Sequence, residues 1–364
     1  MEKKKIYSLV MFMIIAIVLV NSVVLLSANS ENNSNNIKSI LKNANFEKYI
    51  NVSKPDDEEP IDEDFSYDDD EETMAVQSAR GGVLIEQSTR RVLLDEDMHI
   101  RCYPASTTKV LTALVVLNNL PLDRVVKVPK AAEGVEGSSI YLRAGQKITV
   151  EDLLFGLMLR SGNDAAVALA IETAGSVENF ALMMNETATM LGARNSHFVN
   201  PHGLHDDNHY TTAYDLAMIT ASAYENEDFV RIVSSKKAKI TVDGVATYIG
   251  NKNKLLTLYE GANGVKTGYT KRSGRCLVGG ASRDGMQLIT VVFNYNDMWN
   301  DTIRMLNYGF DNYEMKSIDN TLLEYKKGLI PIEFDRPFGM AEGQLNVRYP
   351  LRRDGSEYIK LQSA

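Results

Sequence analysis

What most limits the folds open to this 364-residue chain is a change of hydrophobic period near residue 235. Before it, residues 150–192 read as three helices, VEDLLFGLML, NDAAVALAIETAG and SVENFALMMNETATMLG. Residues 106–117, striped by Val110, Leu111, Leu114 and Val115, and residues 211–224 predict two more. After it the pattern turns to strands: KAKITV, VATYI, GVKTGYT, GRCLVGGAS and MQLITVVFNY. A last helix is expected over 298–313, and 81–86 with 91–95 read as an early hairpin closed by QSTR. This order predicts an α+β fold, a helical lobe on an antiparallel sheet. Short strand-like pieces between Gly, Pro and charges then predict a small β-rich appendage over 316–364.

The first 75 residues follow another logic. Lys3, Lys4 and Lys5 precede an apolar run from Ile6 to Leu26, which has no polar face and so is not a buried helix of a soluble domain. Residues 1–28 are expected to be a membrane anchor or a signal peptide, with the remainder exported. Residues 29–75 are rich in Asn, Ser, Asp and Glu and predict a disordered, self-repelling spacer, in which 37–50 has some helical pattern. Of the 48 Asp and Glu, twelve lie within 56–72, which leaves 36 against 39 Lys and Arg elsewhere. The acidity is therefore local, and no basic footprint for nucleic acid exists. The folded catalytic part is placed at 76–315. Cys102 and Cys276, the only two cysteines, make no disulfide framework; they either pair once or stay free.

Three short motifs carry chemistry. Ser106 and Lys109, in PASTTK, stand three apart and share one face of a helix. A serine hydroxyl needs an adjacent base, and a neutral lysine amine can be one. Neutralising a lysine of pKa about 10.4 near pH 7 costs roughly 4 kcal/mol, which burial and a second cation can reduce. Ser161-Gly162-Asn163 breaks two apolar helices, where it can aim polar groups into a cleft or simply cap the next helix. Lys266-Thr267-Gly268 lies on a strand, so Lys266 and Gly268 face one way and Thr267 the other. Lys266 is a candidate for the second cation, and Gly268 for a place of close backbone approach.

Each motif alone is weak. In this order they form the S-x-x-K, S-x-N, K-T-G set of penicillin-recognising enzymes, and the chain resembles the serine-type D-alanyl-D-alanine carboxypeptidases of peptidase family S11 over roughly 76–315. GSSIYLRAGQ, LRSGNDAA, MMNETATMLGARNSHFVNPHGL and YTTAYDLA extend the likeness. The resemblance implies the penicillin-binding, β-lactamase-like transpeptidase fold and an acyl-enzyme mechanism without metal or organic cofactor. It implies Ser106 as nucleophile, Lys109 as base, Ser161 as proton relay and Asn163 as a ligand of the substrate amide or of Lys109. Lys266 and Thr267 would receive the substrate's terminal carboxylate, Gly268 would line the substrate-binding site, and the backbone N–H groups of Ser106 and Tyr269 would form the oxyanion hole. The implied partners are peptidoglycan stem peptides ending in D-Ala-D-Ala, β-lactam antibiotics and the membrane. Two departures stand out. Tyr269 follows K-T-G where some members have His, and NDMWNDTIR lacks the Arg that some relatives place near the substrate carboxylate. A D,D-endopeptidase, a β-lactamase and a non-catalytic peptidoglycan-binding protein remain the alternatives.

Two other readings carry less. His197, His202, His205 and His209 cluster without H-E-x-x-H spacing, in a segment with Pro201 and Gly203, so neither zinc nor a Ser-His-Asp triad is expected. The acidic run lacks the D-x-D-x-D-G spacing of a calcium loop.

Overall fold

The computed structural model describes residues 79–318, 330–334 and 347–361. These belong to one compact unit running from Tyr67 to Ala364. The expected anchor and the acidic spacer, with its helical patch, lie outside the described residues.

The chain enters on β1 (Gly81–Glu86) and β2 (Val92–Glu96), the expected hairpin. A 3-10 turn over Ala105–Thr108 leads into α1 (Lys109–Asn119). A small ladder of β3 (Val125–Lys127) and β4 (Lys147–Thr149) precedes α2 (Val150–Leu159), α3 (Asn163–Ala174) and α4 (Val177–Met190). Next come α5 (Ala213–Ala223), α6 (Glu227–Ser234) and the hairpin of β5 (Lys237–Val242) and β6 (Val245–Gly250). After the single turn α7 (Leu255–Leu258) follow β7 (Ala262–Thr270), β8 (Gly274–Arg283), β9 (Met286–Phe293) and α8 (Met298–Asn312). Strands β10 (Tyr313–Ile318), β11 (Ile330–Phe334), β12 (Val347–Arg352) and β13 (Glu357–Leu361) end the described chain.

Five strands make the main sheet, in the order β2-β1-β9-β8-β7, all antiparallel. Strand alternation divides its side chains between two cores. Val83, Ile85, Val278, Ile289, Val291 and Phe293 join the helical lobe of α1 to α6. Leu84, Leu277, Leu288 and Val292 join Met305, Leu306 and Phe310 of α8 on the other face. A sheet covered on both faces explains why its strands read as nearly continuous apolar runs.

Helix starts are set by local chemistry. Thr149, Ser176, Thr212, Asn226 and Asp297 each accept a backbone N–H three residues on, a contact worth about 1 kcal/mol. Gly175 ends α3 at φ 80°, a turn that costs glycine nothing and lets α4 start two residues later. Helix α6 and the β3–β4 ladder were not anticipated. Their eight and three residues are too short for a period, although Asn226 followed by Glu227 and Asp228 was a legible helix start.

The C-terminal strands form two separate ladders, β10 with β12 antiparallel and β11 with β13 parallel. Strand β10 grows directly out of α8, and its first residue, Tyr313, is buried in the α8 core.

Candidate active site

The site begins with the backbone ahead of Ser106. Ala105 adopts φ 47°, in the left-handed region that an L-residue occupies only at a cost of about 1–3 kcal/mol. Several contacts impose it. Thr107 donates through its backbone N–H and its hydroxyl to Pro104 O (3.1 and 2.6 Å), and Thr108 Oγ1 donates to Ala105 O at 2.8 Å. Gly203 packs so closely that a Cβ there would lie 1.8 Å from Ala105 O. Ser106 therefore sits on a 3-10 turn, not within the first turn of the α-helix that the sequence predicts. In that turn residues i and i+3 eclipse, and Lys109 Nζ lies 3.1 Å from Ser106 Oγ.

Lys109 is wholly buried. Its nitrogen also contacts Asn163 Oδ1 at 2.7 Å and His202 O at 2.6 Å. A neutral amine has two hydrogens and one lone pair, which suits this set: it donates to Asn163 and His202 and accepts from the Ser106 hydroxyl. Burial, and then the like charges of Lys266 and Lys252, hold its pKa well below the ordinary lysine value. Lys266 is the second cation expected from the sequence. Burial and Lys252 bring its own pKa down to about 7.

Asn163 opens α3, and its amide nitrogen donates to Glu136 O at 2.6 Å, which fixes the oxygen on Lys109. Of the two roles carried for Asn163, orienting Lys109 is the one drawn by these bonds. Ser161 stands before it at φ 64°, a second strained residue, and its side chain lines the cleft. Asp164, which the sequence reading passed over, is buried and accepts from Ser139 Oγ, Ile140 N and Leu142 N at 2.6, 3.1 and 3.0 Å. It thereby holds the GSSIYL loop as a wall, on which Ser138 Oγ accepts from Lys252 Nζ at 3.0 Å.

Strand β7 is an edge of the main sheet and forms the facing wall. Alternation holds there. Lys266 turns toward the helical lobe and donates to Thr267 O at 3.0 Å, whereas Thr267 pairs across with Leu277 of the α8 core. Gly268 differs from expectation in what it approaches. A Cβ there would meet Pro104 O at 3.0 Å, Ala105 Cβ at 3.2 Å and Ser106 N at 3.2 Å, so the missing side chain admits the Ser106 turn. Tyr269 is exposed at the rim. The resulting cleft, about 480 Å³, is lined by Ser106, Ser138, Ser161, Lys252, Thr267, Gly268, Tyr269, Arg275, Met298 and Trp299. Of these, Ser138, Lys252, Arg275, Met298 and Trp299 were not singled out, because their neighbourhood exists only in three dimensions.

The histidines form part of the scaffold. His209 accepts Val199 N on Nδ1 (3.1 Å) and so donates from Nε2 to Thr108 Oγ1 (2.8 Å). Burial lowers the pKa of His202 and of His209 to about 3, so both are neutral. Asn200 Oδ1 accepts Gly203 N at 2.7 Å, and Pro201 O accepts Thr112 Oγ1 at 2.7 Å. Both cysteine thiols are buried and free, and burial raises their pKa to about 12 for Cys102 and about 11 for Cys276.

A helical lobe against an antiparallel sheet, with a Ser–Lys pair, an Asn and a Lys-Thr-Gly edge in one cleft, defines an α+β scaffold built around a serine–lysine site. Comparison with known proteins places it further. The family model for D-alanyl-D-alanine carboxypeptidases, peptidase S11, matches residues 69–297, and the chain belongs to that family. It is 35% identical over 254 residues to D-alanyl-D-alanine carboxypeptidase DacF of Bacillus subtilis (strain 168), covering 65% of this chain and 63% of that protein, just under two thirds. It is 37% identical over 254 residues to the D-alanyl-D-alanine carboxypeptidase of Streptomyces sp. (strain K15), over 64% of this chain and 87% of that one. Among solved structures, a mutant of the Streptomyces K15 DD-transpeptidase superposes with TM-score 0.61 at 36% identity, covering 65% of this chain and 98% of that chain. The D-alanyl-D-alanine carboxypeptidase of Mycobacterium tuberculosis H37Rv does so with TM-score 0.61 at 32% identity, covering 64% and 90%. The fold is that of the penicillin-binding D,D-peptidases.

Proposed function

We propose that the protein is a serine D,D-carboxypeptidase that removes the terminal D-alanine from peptidoglycan stem peptides and is acylated by β-lactams. The observation that carries this reading is the buried Lys109 amine, 3.1 Å from Ser106 Oγ and drawn toward its neutral form by burial and two neighbouring lysines. In the proposed reaction Lys109 takes the Ser106 proton as Oγ attacks the penultimate D-alanine carbonyl. The C–N bond breaks, and the proton returns through Ser161 to the leaving amine of D-alanine. Water, deprotonated by the same amine, then hydrolyses the ester. The backbone N–H groups of Ser106 and Tyr269 would stabilise the oxyanion, each worth about 10²–10³ in rate. Asn163 keeps Lys109 in place, and Thr267 meets the terminal carboxylate.

The test is incubation of the purified protein with diacetyl-Lys-D-Ala-D-Ala, following free D-alanine, beside Ser106→Ala. Release by the wild type alone is expected, with penicillin labelling lost in the variant and its melting temperature kept. Stable labelling without release would mean an endopeptidase or a receptor with a working cleft; rapid turnover of the penicilloyl ester would mean a β-lactamase; neither label nor release sinks the reading. We further propose export and tethering by residues 1–28, with 29–75 as spacer. Cell fractionation checks this: the full chain should pellet with membranes, and a 76–364 fragment should stay soluble and active.

A further inference from the structure

The family-like motifs leave one requirement of the cleft without an evident group. The expected substrate ends in a carboxylate that meets Thr267, yet Lys266 turns to the opposite face of β7. Its amine donates to Thr267 O at 3.0 Å, and its pKa of about 7 leaves it charged only part of the time near neutrality. A carboxylate on the Thr267 side needs a permanent cation on that side.

Strand β8 supplies one. Arg275 pairs directly with Tyr269, and Leu277 with Thr267. Directly opposed residues share a face, so Arg275 lies on the same face as Thr267 and Tyr269. It is the diagonal neighbour of Thr267, a separation of roughly 7–8 Å between backbones that an arginine side chain spans. Arg275 is exposed and lines the cleft together with Thr267 and Tyr269. Its carbonyl is engaged by Tyr295 N at 3.1 Å, but its guanidinium is in no ion pair among the described residues. An arginine that stays charged, opens on the cleft and lacks an acidic partner is built to take one from outside.

We propose that Arg275 binds the terminal carboxylate of the substrate, with Thr267, and so sets the preference for peptides that end in a free acid. The assignment rests on the acyl-enzyme reading above: the cation comes from β8, whereas NDMWNDTIR after β9 carries none near its start.

The experiment compares acylation of the full-length protein by benzylpenicillin, which carries a carboxylate, with acylation by its methyl ester, which does not. Wild type should favour the acid. Arg275→Gln should lose about 10- to 100-fold in the acid's acylation rate, the size of a lost charge-assisted hydrogen bond, and change by less than about two-fold with the ester. Arg275→Lys should restore part of the acid's advantage. Equal losses with acid and ester would make Arg275 merely structural, and no loss with either would remove it from recognition; both overturn the proposal. Wild type left unlabelled by benzylpenicillin would overturn the acyl-enzyme reading, and the role of Arg275 with it, and that failure is visible before any variant is made.

Discussion

Lys109 illustrates how its surroundings draw a single lysine toward its neutral form. The polar groups around it suit two donated hydrogen bonds and one accepted, so the neutral amine loses nothing that the ammonium would keep, while burial charges the ammonium its desolvation. Acylation should therefore rise with pH as Lys109 deprotonates. Removing a neighbouring positive charge eases protonation of Lys109, so Lys266→Met should move that ascending limb to higher pH. A stopped-flow pH profile of penicillin labelling measures it, and an unmoved limb would leave burial and Lys252 responsible. Stability follows the same logic with a definite sign. The Lys266 pKa is lower folded than unfolded, so between about 10 and about 7 the unfolded chain holds the extra proton. Its destabilising effect is complete below about pH 7 and fades as pH rises toward the ordinary lysine value. The melting temperature of Lys266→Met relative to wild type should accordingly be most favourable near pH 7 and decline toward pH 10.

Among elements, the 3-10 turn is packed against two glycines from distant parts of the chain. Gly203, at φ 82°, presses on Ala105 O, and Gly268 on β7 admits Pro104 to Ser106. Gly268→Ala puts a methyl 3.0–3.2 Å from three atoms of the turn, which must give by a few tenths of an ångström. A misplacement approaching 1 Å costs about 10²-fold in rate, so labelling should slow by roughly 10- to 100-fold while the melting curve shifts little. Gly203→Ala meets backbone at 1.8 Å in a left-handed conformation and should largely fail to fold, as circular dichroism would register. If Gly268→Ala is labelled at the wild-type rate, the turn is softer than this packing implies.

At the level of the whole molecule, the β1–β2 turn is tied to the C-terminal strands. Arg91 donates to Pro350 O and pairs with Glu357 at 2.5 Å, the two side chains being 14% and 7% exposed. This pair lies away from the cleft. Glu357→Ala strands Arg91 and should lower stability by about 1–3 kcal/mol. It should not alter the labelling rate per folded molecule. Chemical denaturation followed by labelling separates the two, and a slowed label would mean that the C-terminal strands also shape the cleft.

Much of this was determined by local sequence. Hydrophobic period and capping residues set α2 to α5, the central strands and the α+β class, because each segment's pattern already states which side must be buried. The residues of the Ser106, Ser161 and Lys266 motifs were legible as types at fixed spacings, and the alternation on β7 correctly separated Lys266 from Thr267. Helix α6 and the β3–β4 ladder escaped because they are too short for a period to register. The purpose of Gly268, the histidine scaffold under Ala105 and the wall held by Asp164 were decided only by tertiary structure. Each depends on which backbone lies opposite, across separations of tens to over a hundred residues, and no local pattern records that.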